Sequence, residues 1–519
     1  MTSPMLYEPW YPGRDFNPFS PPLDNGAEKM ANLKRRLNMR EEPTYDKDFK
    51  TTEVRRVYAN SLETRDVLEF DFQTWKDSLR VPPSRLFLRV SFHKPDKTKL
   101  PDTAATMGTN NAWLRDNFLT NYIKLVEFIV NGQTVEQRDY DHVARVVKTM
   151  TLPKDRENYD RLRSDWGIPH DAPINTTRTG EHVITDDSLK TLTPSTLPAT
   201  VDTVNDKTVV AIREQEAYNK RYGSKLLGSK EHIFSTDILY PMNQEFKLLP
   251  FSTAFKIRIV LNDRNNCFTC ASGMAPYIKI HEAWFEDWLI RCDSEFVDKV
   301  SKDIVSGEGK MNFPITRRVL NMHEIPQTNH MKINRAIIGD IPSRVYLFVA
   351  PSNHFLANNS TRNPYVYKFP FITRFTLKYG DKEWPRKGGV EILGVPDNVR
   401  DGDYIRTLTD DEVKELVEMN SNEAYNVLRA PATARNYLHK MAVQEEEWFK
   451  YCFVICVDLT SLAMDFLTPD TREPKSEGDI AYDIEFKEVM PANHKLISIF
   501  EYKNMLTWNV PGFGISIDT

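Results

Sequence analysis

The sequence predicts an all-β protein of two tandem antiparallel β-sandwiches, with long loops and a few short helices. The first observation is a repeated opening, Pro83-Ser84-Arg85-Leu86 and then Pro342-Ser343-Arg344-Val345. Each opening begins an alternating strand and is followed by a strand that runs into a tight turn, at 123–136 and 371–384. Each copy then closes with a long aromatic strand, at 277–290 and 495–508. Three features repeated in one order indicate an internal duplication.

The spacing of the paired features shows where the two copies differ in length. Arg85 to Arg344 is 344 − 85 = 259 residues, and Gly132 to Gly380 is 380 − 132 = 248. Ile278 to Ile497 is only 497 − 278 = 219. The first copy therefore carries the longer connections, and its surplus falls in the polar, irregular segment from about residue 149 to 230.

β-Branched and aromatic residues alternate along many short segments, which is the pattern of half-buried strands. Asn131-Gly132 is a strong signal for a two-residue hairpin turn. Roughly six to eight strands per copy with long loops favour jelly-roll sandwiches over an up-and-down barrel. The sequence also predicts three short helices, the last with Thr409 and Glu412 at capping-box spacing: Ala112–Leu119, Tyr140–Met150 and Asp410–Asn420.

Length and composition fit two domains preceded by an arm. The chain of 519 residues exceeds the size at which single cores stop growing. We predict an N-terminal arm at 1–50, a first jelly roll at 51–304 with an insertion at 150–230, and a second jelly roll at 305–519. No apolar run is long enough to span a bilayer and no signal peptide is apparent, and five cysteines are too few for a disulfide framework. A net charge of −5 excludes a globally basic nucleic-acid binder.

The first 50 residues combine proline with aromatic side chains and have no periodicity. Such an arm suits docking on another surface, with order gained on binding. The candidate docking residues are Tyr7, Trp10, Tyr11, Phe16 and Phe19. A basic cluster follows, which could contact nucleic acid or anionic lipid in an interior or could be a solvated helical turn: Lys34, Arg35, Arg36 and Arg40.

No pattern of residues predicts catalysis, a cofactor or a metal. Cys267-x-x-Cys270 supplies half of a tetrahedral zinc site, but His281 and Cys292 follow without motif spacing. The 11 histidines show no pairing typical of a metalloenzyme, and no nucleophile elbow or phosphate-binding loop occurs. We therefore expect no catalytic, cofactor-binding or metal-binding residues.

Ordered segments of both copies resemble a known family. In the second copy these are FPITRRVLNMHEIP (313–326), IIGDIPSRVYLFVAPSNHF (337–355), NPYVYKFPFITRFTLKYGDKEWP (363–385), YCFVICVDLTS (451–461) and IEFKEVMPANHKLISIFEYKNML (484–506). In the first copy they are residues 110–136 and 233–263. Together they resemble the double jelly-roll major capsid proteins of Polinton (Maverick) elements, adintoviruses and virophages, within the adenovirus-like lineage. The match spans roughly 54–510 and is a pattern of segments rather than one invariant motif.

The resemblance implies a structural protein of an icosahedral virion. Such proteins form pseudo-hexagonal homotrimers that tile a shell together with penton (single jelly-roll) and minor capsid proteins. By analogy, the 150–230 and 386–447 segments would be tower or inter-subunit loops, and the arm would contact an internal membrane, the genome or a neighbouring capsomer. The protein would be made in the host cytoplasm and assembled in the nucleus or in a cytoplasmic factory.

Two other classes of protein use similar sandwiches. A tandem jelly-roll carbohydrate-binding module would stack sugars on exposed aromatic rings, for which Trp284, Trp288 and Trp384 are the candidates. Trp284 and Trp288 share one face of a strand, an arrangement more typical of a core. A cupin-like enzyme would need metal ligands that the sequence does not supply.

Overall fold

The computed structural model describes residues 49–62, 66–73, 77–81, 85–100, 112–115, 117–130, 133–151, 229–239, 249, 254–270, 273–306, 310–355, 363–384, 386–420, 445–459, 477–509 and 515–517. These residues form two antiparallel β-sandwiches in succession. Within this described part of the chain, no helix is both long enough and apolar enough to cross a membrane.

The first sandwich consists of two facing sheets. Its strands are β1 (Phe49–Tyr58), β2 (Val67–Phe72), β3 (Ser78–Val81), β4 (Arg85–His93), β5 (Ala112–Leu114), β6 (Ile123–Val130), β7 (Gln133–Gln137), β8 (Glu231–Asp237), β9 (Phe255–Leu261), β10 (Phe268–Cys270) and β11 (Tyr277–Cys292). One sheet has the order β1-β11-β4-β8, with β3 also paired to β11, and the other has the order β2-β9-β6-β7. Strands β5 and β10 form a separate pair.

The second sandwich is built in the same way. Its strands are β12 (Lys310–Glu324), β13 (His330–Asp340), β14 (Arg344–Pro351), β15 (Ile372–Tyr379), β16 (Lys382–Trp384), β17 (Val390–Glu391), β18 (Arg400–Asp401), β19 (Tyr404–Ile405), β20 (Ile455–Asp458), β21 (Glu477–Phe486), β22 (His494–Asn509) and β23 (Ile515–Ile517). One sheet has the order β12-β22-β14-β20 and the other β13-β21-β15-β16. Strand β23 extends the first sheet, β17 extends the second, and β18 pairs with β19.

The two sandwiches have one topology. When the eight principal strands of each copy are counted along the chain, both copies give sheets of order 1-8-3-6 and 2-7-4-5. This is the double Greek key of a jelly roll, so the predicted double jelly roll is confirmed. We call the two 1-8-3-6 sheets the long-strand sheets, because each contains the long closing strand, β11 or β22.

Register refines the predicted alignment of the copies. Arg85 in β4 pairs with Asp237, and Arg344 in β14 pairs with Asp458, so the two arginines are equivalent. The closing strands align through Phe285 and Phe500, which pair with the residues that follow those arginines. Their offset is 500 − 285 = 215, so the predicted pairing of the closing strands at an offset of 219 was four residues out of register.

Each sandwich buries the inward side chains of both its sheets. In the first, Phe70 of β2 meets Phe285 of β11 edge to face, with ring centroids 4.8 Å apart, and this contact joins the two sheets. In the second, inward residues of β14, β15 and β21 form the equivalent core, including Leu347, Phe375 and Ile484. Strand β4 alternates between buried and half-buried positions over most of its length, whereas the first seven residues of β14 are all buried. The outer face of β14 is therefore covered as well.

Five α-helices are described: α1 (Phe118–Asn121), α2 (Tyr140–Thr151), α3 (Ser294–Ser306), α4 (Asp410–Asn420) and α5 (Glu445–Tyr451). Two short 3₁₀ helices lie at Arg264–Asn266 and Ser352–Phe355. Helices α2 and α4 were predicted. The capping box of α4 is present, with the Thr409 amide donating to Glu412 Oε2 at 2.8 Å and the Glu412 amide donating to Thr409 Oγ1 at 3.3 Å. The predicted helix Ala112–Leu119 was wrong, because its first residues pair with β10 and Asn117 takes a left-handed φ of 54°.

Candidate functional site

The interface between the two sandwiches centres on helix α2, which follows strand β7. Tyr140 and Ala144 on one side of α2 join the core of the first sandwich. Four other residues form a stripe at helical spacing, each at most 1% exposed, which packs on the second sandwich: Val143, Val146, Val147 and Met150. They meet the outer face of the second long-strand sheet, where the buried residues include Tyr346, Phe348, Cys456, Ile497 and Ile499. Helix α2 is thus apolar on two sides because it completes two cores.

Buried polar contacts fix α2 in this position. Asp141 Oδ2 accepts hydrogen bonds from Tyr365 Oη at 3.0 Å and from Asn262 Nδ2 at 2.9 Å. His142 Nδ1 lies 3.1 Å from Tyr367 Oη, and its ring packs against the ring of Phe355 with centroids 4.2 Å apart and an interplanar angle of 30°. These bonds tie the two sandwiches together, because Asn262 belongs to the first and both tyrosines to the second.

Burial shifts the protonation of this pair. Both side chains are at least nine-tenths buried, and burial is the largest influence on each. Burial raises the pKa of Asp141 and lowers the pKa of His142 below its usual value, because each charged form loses its hydration. The interface therefore favours a neutral imidazole at His142. Acidification, which protonates the imidazole, destabilises the interface.

A row of four charged residues crosses the same outer face, one on each strand of the second long-strand sheet. In sheet order they are Arg318, Glu501, Arg344 and Asp458. Glu501 accepts from Arg318 Nε at 2.9 Å and from Arg344 Nη1 at 3.3 Å, and Arg344 Nε lies 3.3 Å from Asp458 Oδ2. Their side chains are 1%, 0%, 2% and 8% exposed. Two positive and two negative groups balance one another, which is what burial of charge requires.

The first sandwich reaches this row from the end of strand β7. The amide Nε2 of Gln137 donates to the backbone oxygen of Arg318 at 3.2 Å. Gln137 immediately precedes the turn into α2, so the same segment meets both the apolar and the charged parts of the face. Sequence reasoning missed this interface, although apolar residues on two sides of the helix at 140–151 were a usable signal.

The predicted candidates for metal chemistry lie in different surroundings. Cys267 and Cys270 are fully buried in the first core, and burial raises the pKa of Cys267 well above its usual value. His281 lies on a strand and Ser91 Oγ is 2.8 Å from its Nε2. Among the residues that the structure describes, no three His, Cys, Asp or Glu side chains are grouped so that they could hold a metal ion.

Two of the three tryptophans considered for sugar stacking, Trp284 and Trp384, are in contact with protein groups. Trp284 is 4% exposed, stacks on Phe87 with centroids 5.2 Å apart and an interplanar angle of 2°, and has the Arg56 guanidinium 4.9 Å from its ring centre. It belongs to neither sandwich core, since its neighbours Ala283 and Phe285 are the inward residues. Trp384 is half-buried against the second core. An open stacking platform is not formed at Trp284.

The arm residues lie outside the described part of the chain. They are the aromatic residues Tyr7, Trp10, Tyr11, Phe16 and Phe19 and the basic residues Lys34, Arg35, Arg36 and Arg40. The same holds for most of the 150–230 insertion and for residues 421–444 of the 386–447 segment. The predictions made for them therefore stay predictions.

Two jelly rolls joined by a buried interface define the class of fold, and a known structure shares it. The chain aligns with a structure from the Sputnik virophage, determined by cryo-EM at 3.5 Å resolution, over 93% of this chain and 91% of the other, with 10% identity and a TM-score of 0.54. Alignments also cover 93% of this chain with the mavirus major capsid protein (92% of that chain, 11% identity, TM-score 0.42) and 92% with the Faustovirus major capsid protein (94% of that chain, 12% identity, TM-score 0.43). Comparison with protein-family models and with curated proteins finds no match. At this identity the similarity establishes the fold.

Proposed function

We propose that this chain is a major capsid protein that forms pseudo-hexagonal trimers and tiles an icosahedral virus shell. The observation that carries the proposal is the tandem repeat of one jelly roll, with the second copy buried against the first through α2. Two similar sandwiches per chain give six similar walls in a trimer, so a single gene product can occupy sixfold positions of a lattice. The fold similarity to a virophage structure supports the proposal.

The role is structural rather than catalytic in this proposal. In this proposal the protein acts through its contact surfaces. They lie on the arm at 1–50, the jelly rolls at 51–304 and 305–519, and the loops at 150–230 and 386–447. The arm would use its aromatic residues for docking on a neighbour, and its basic residues for the genome or an internal membrane. Penton and minor capsid proteins would be the further partners. The destination is the virion, after synthesis in the host cytoplasm and assembly in the nucleus or in a cytoplasmic factory.

The experiment that tests the proposal is light scattering coupled to size-exclusion chromatography, followed by negative-stain imaging of the main peak. We expect a mass three times that of the 60.3 kDa chain, together with hexagonal outlines. A chain that stays at 60.3 kDa at every concentration and binds a glycan array would overturn the proposal and favour the carbohydrate-binding alternative.

The docking role of the arm needs a separate test. Replacing Tyr7, Trp10, Tyr11, Phe16 and Phe19 with serine should leave the trimer intact and impair assembly of trimers into shells. Unchanged shell assembly by this variant would remove the docking role and leave the trimer proposal untouched.

A further inference from the structure

The charged row of the second sandwich has a counterpart at the same register in the first. Arg56 of β1 pairs with Glu286 of β11, and Arg85 of β4 pairs with Asp237 of β8. Because Leu86 pairs with Phe285, the next residues in that antiparallel ladder are Arg85 and Glu286. The order across the first long-strand sheet is therefore Arg–Glu–Arg–Asp, as it is in the second. The Arg85–Asp237 ion pair, at 3.2 Å, corresponds to Arg344–Asp458.

The two rows differ in burial. In the second sandwich the four charged side chains are at most 8% exposed. In the first, the side chains of Arg85 and Asp237 are 19% and 40% exposed, Arg56 is exposed and Glu286 is half-buried. The same four residue types at the same register are thus covered in one sandwich and at least partly accessible to solvent in the other.

The apolar side chains beside the two rows also differ in burial, being more exposed on the first sandwich than on the second. By register, Tyr58, Trp284 and Phe87 of the first sandwich correspond to Leu320, Ile499 and Tyr346 of the second, which lie in or against the cluster that α2 covers. On the first sandwich Tyr58 is 50% exposed, and nearby Val54 and Ile233 are 46% and 62% exposed. A β-sheet face that combines half-exposed apolar side chains with a balanced charged row is typical of an interface rather than of a solvated surface.

We infer that this outer face of the first long-strand sheet binds the second sandwich of another copy of the chain. The contact inside the chain indicates this binding partner, because there the first sandwich covers the equivalent face of the second. A contact of this kind joins two different surfaces, and successive head-to-tail contacts close into a ring when the rotation permits. In such a ring, faces covered within a chain alternate with faces covered between chains. The inference rests on the proposed trimer and adds the surface that forms it.

The test compares charged substitutions at two exposed isoleucines. Ile233→Arg, alone and with Tyr58→Arg, places positive charge on the proposed face. Ile338→Arg is the matched control, because Ile338 is 67% exposed on β13 of the other sheet of the second sandwich. Circular dichroism and thermal melting establish that each variant is folded. We expect the mass to fall from that of a trimer to that of the 60.3 kDa chain for the face variants only.

The outcomes separate this inference from the proposed function. A wild-type trimer with face variants that remain trimeric would overturn the inference and leave the capsomer proposal standing. A wild-type chain that is monomeric at all concentrations would overturn both. Hydroxyl-radical labelling of wild-type Tyr58 gives an answer independent of any variant, since labelling must fall when the trimer forms. Labelling that is equal in monomer and trimer would also overturn the inference.

Discussion

Glu501 gives the sharpest test of the buried charged row. Its side chain is 0% exposed and holds both Arg318 and Arg344, so Glu501→Gln leaves one uncompensated positive charge in the interface. Breaking a buried ion pair on one side costs about 3–5 kcal/mol. For a domain of the second sandwich's size, each kcal/mol corresponds to a shift of about 2–4 °C in the midpoint of melting. We therefore expect a fall of about 6–20 °C, measured by calorimetry.

The matched control is Glu485→Gln in the same sandwich. Glu485 pairs with Arg374 at 3.5 Å, but their side chains are 44% and 41% exposed. Removing an exposed ion pair costs about 0–1 kcal/mol, so this variant should melt within about 4 °C of wild type. Equal, small shifts in the melting midpoints of Glu501→Gln and Glu485→Gln would refute the reasoning, because they would mean that solvent screens the charged row.

Three further predictions concern the helices. Met150→Ala opens a cavity under α2 and should cost about 2–5 kcal/mol, read from urea unfolding. Thr409→Ala removes one half of the α4 capping box and should cost about 0.5–2 kcal/mol in the same assay. Burial lowers the pKa of His142, so folding favours its neutral imidazole. Its stabilising contribution is complete above the unfolded pKa of about 6.5 and is lost as the pH falls below that value. Acidification from pH 7.5 to 5.5 should therefore cost wild type up to about 1.4 kcal/mol more than His142→Asn.

Each of these predictions can fail in its own way. A loss below about 1 kcal/mol for Met150→Ala would mean that the stripe does not pack on the second sandwich. Thr409→Ser keeps the hydroxyl and should be close to wild type in stability. A loss of stability for Thr409→Ser equal to that of Thr409→Ala would show that the hydroxyl does not stabilise the helix as a cap. An identical pH dependence for wild type and His142→Asn would show that His142 takes no part in acid sensitivity. The raised pKa of Asp141 acts with the opposite sign but is present in both proteins.

Sequence patterns predicted the fold of each sandwich better than the interface between the two sandwiches. Alternation along β2, β4 and β9 marks one buried face, which is a local property, and the repeated Arg85 and Arg344 do fall at equivalent positions. The outer face of β14 was not predicted to be covered, because the helix that covers it belongs to the other copy and is distant in the chain. The charged row was equally invisible, since its four members lie on four strands and only register brings them together.

The prediction of a helix at 112–119 was wrong for a related reason. Its residues suit a helix locally, but pairing of Ala112–Leu114 with Phe268–Cys270 decides their conformation. Trp284 was predicted to be more typical of a core than of a sugar-stacking platform, and it is buried. It is nevertheless shielded on the outer face, by Phe87 and Arg56, rather than in the core. The predicted site residues of the arm lie outside the described part of the chain and remain to be tested.

The position of α2 in the chain has a consequence for biosynthesis. The helix ends at Thr151, and the strand β22 that it packs against begins only at His494, so most of the chain is made between them. At about 5–20 residues per second, a ribosome needs about 17–70 s to make that interval. During this time the first sandwich can fold, but the sheet that the stripe from Val143 to Met150 packs against is completed only when β22 has been made. The interface between the two sandwiches therefore reaches its final packing only after the closing strand has been made.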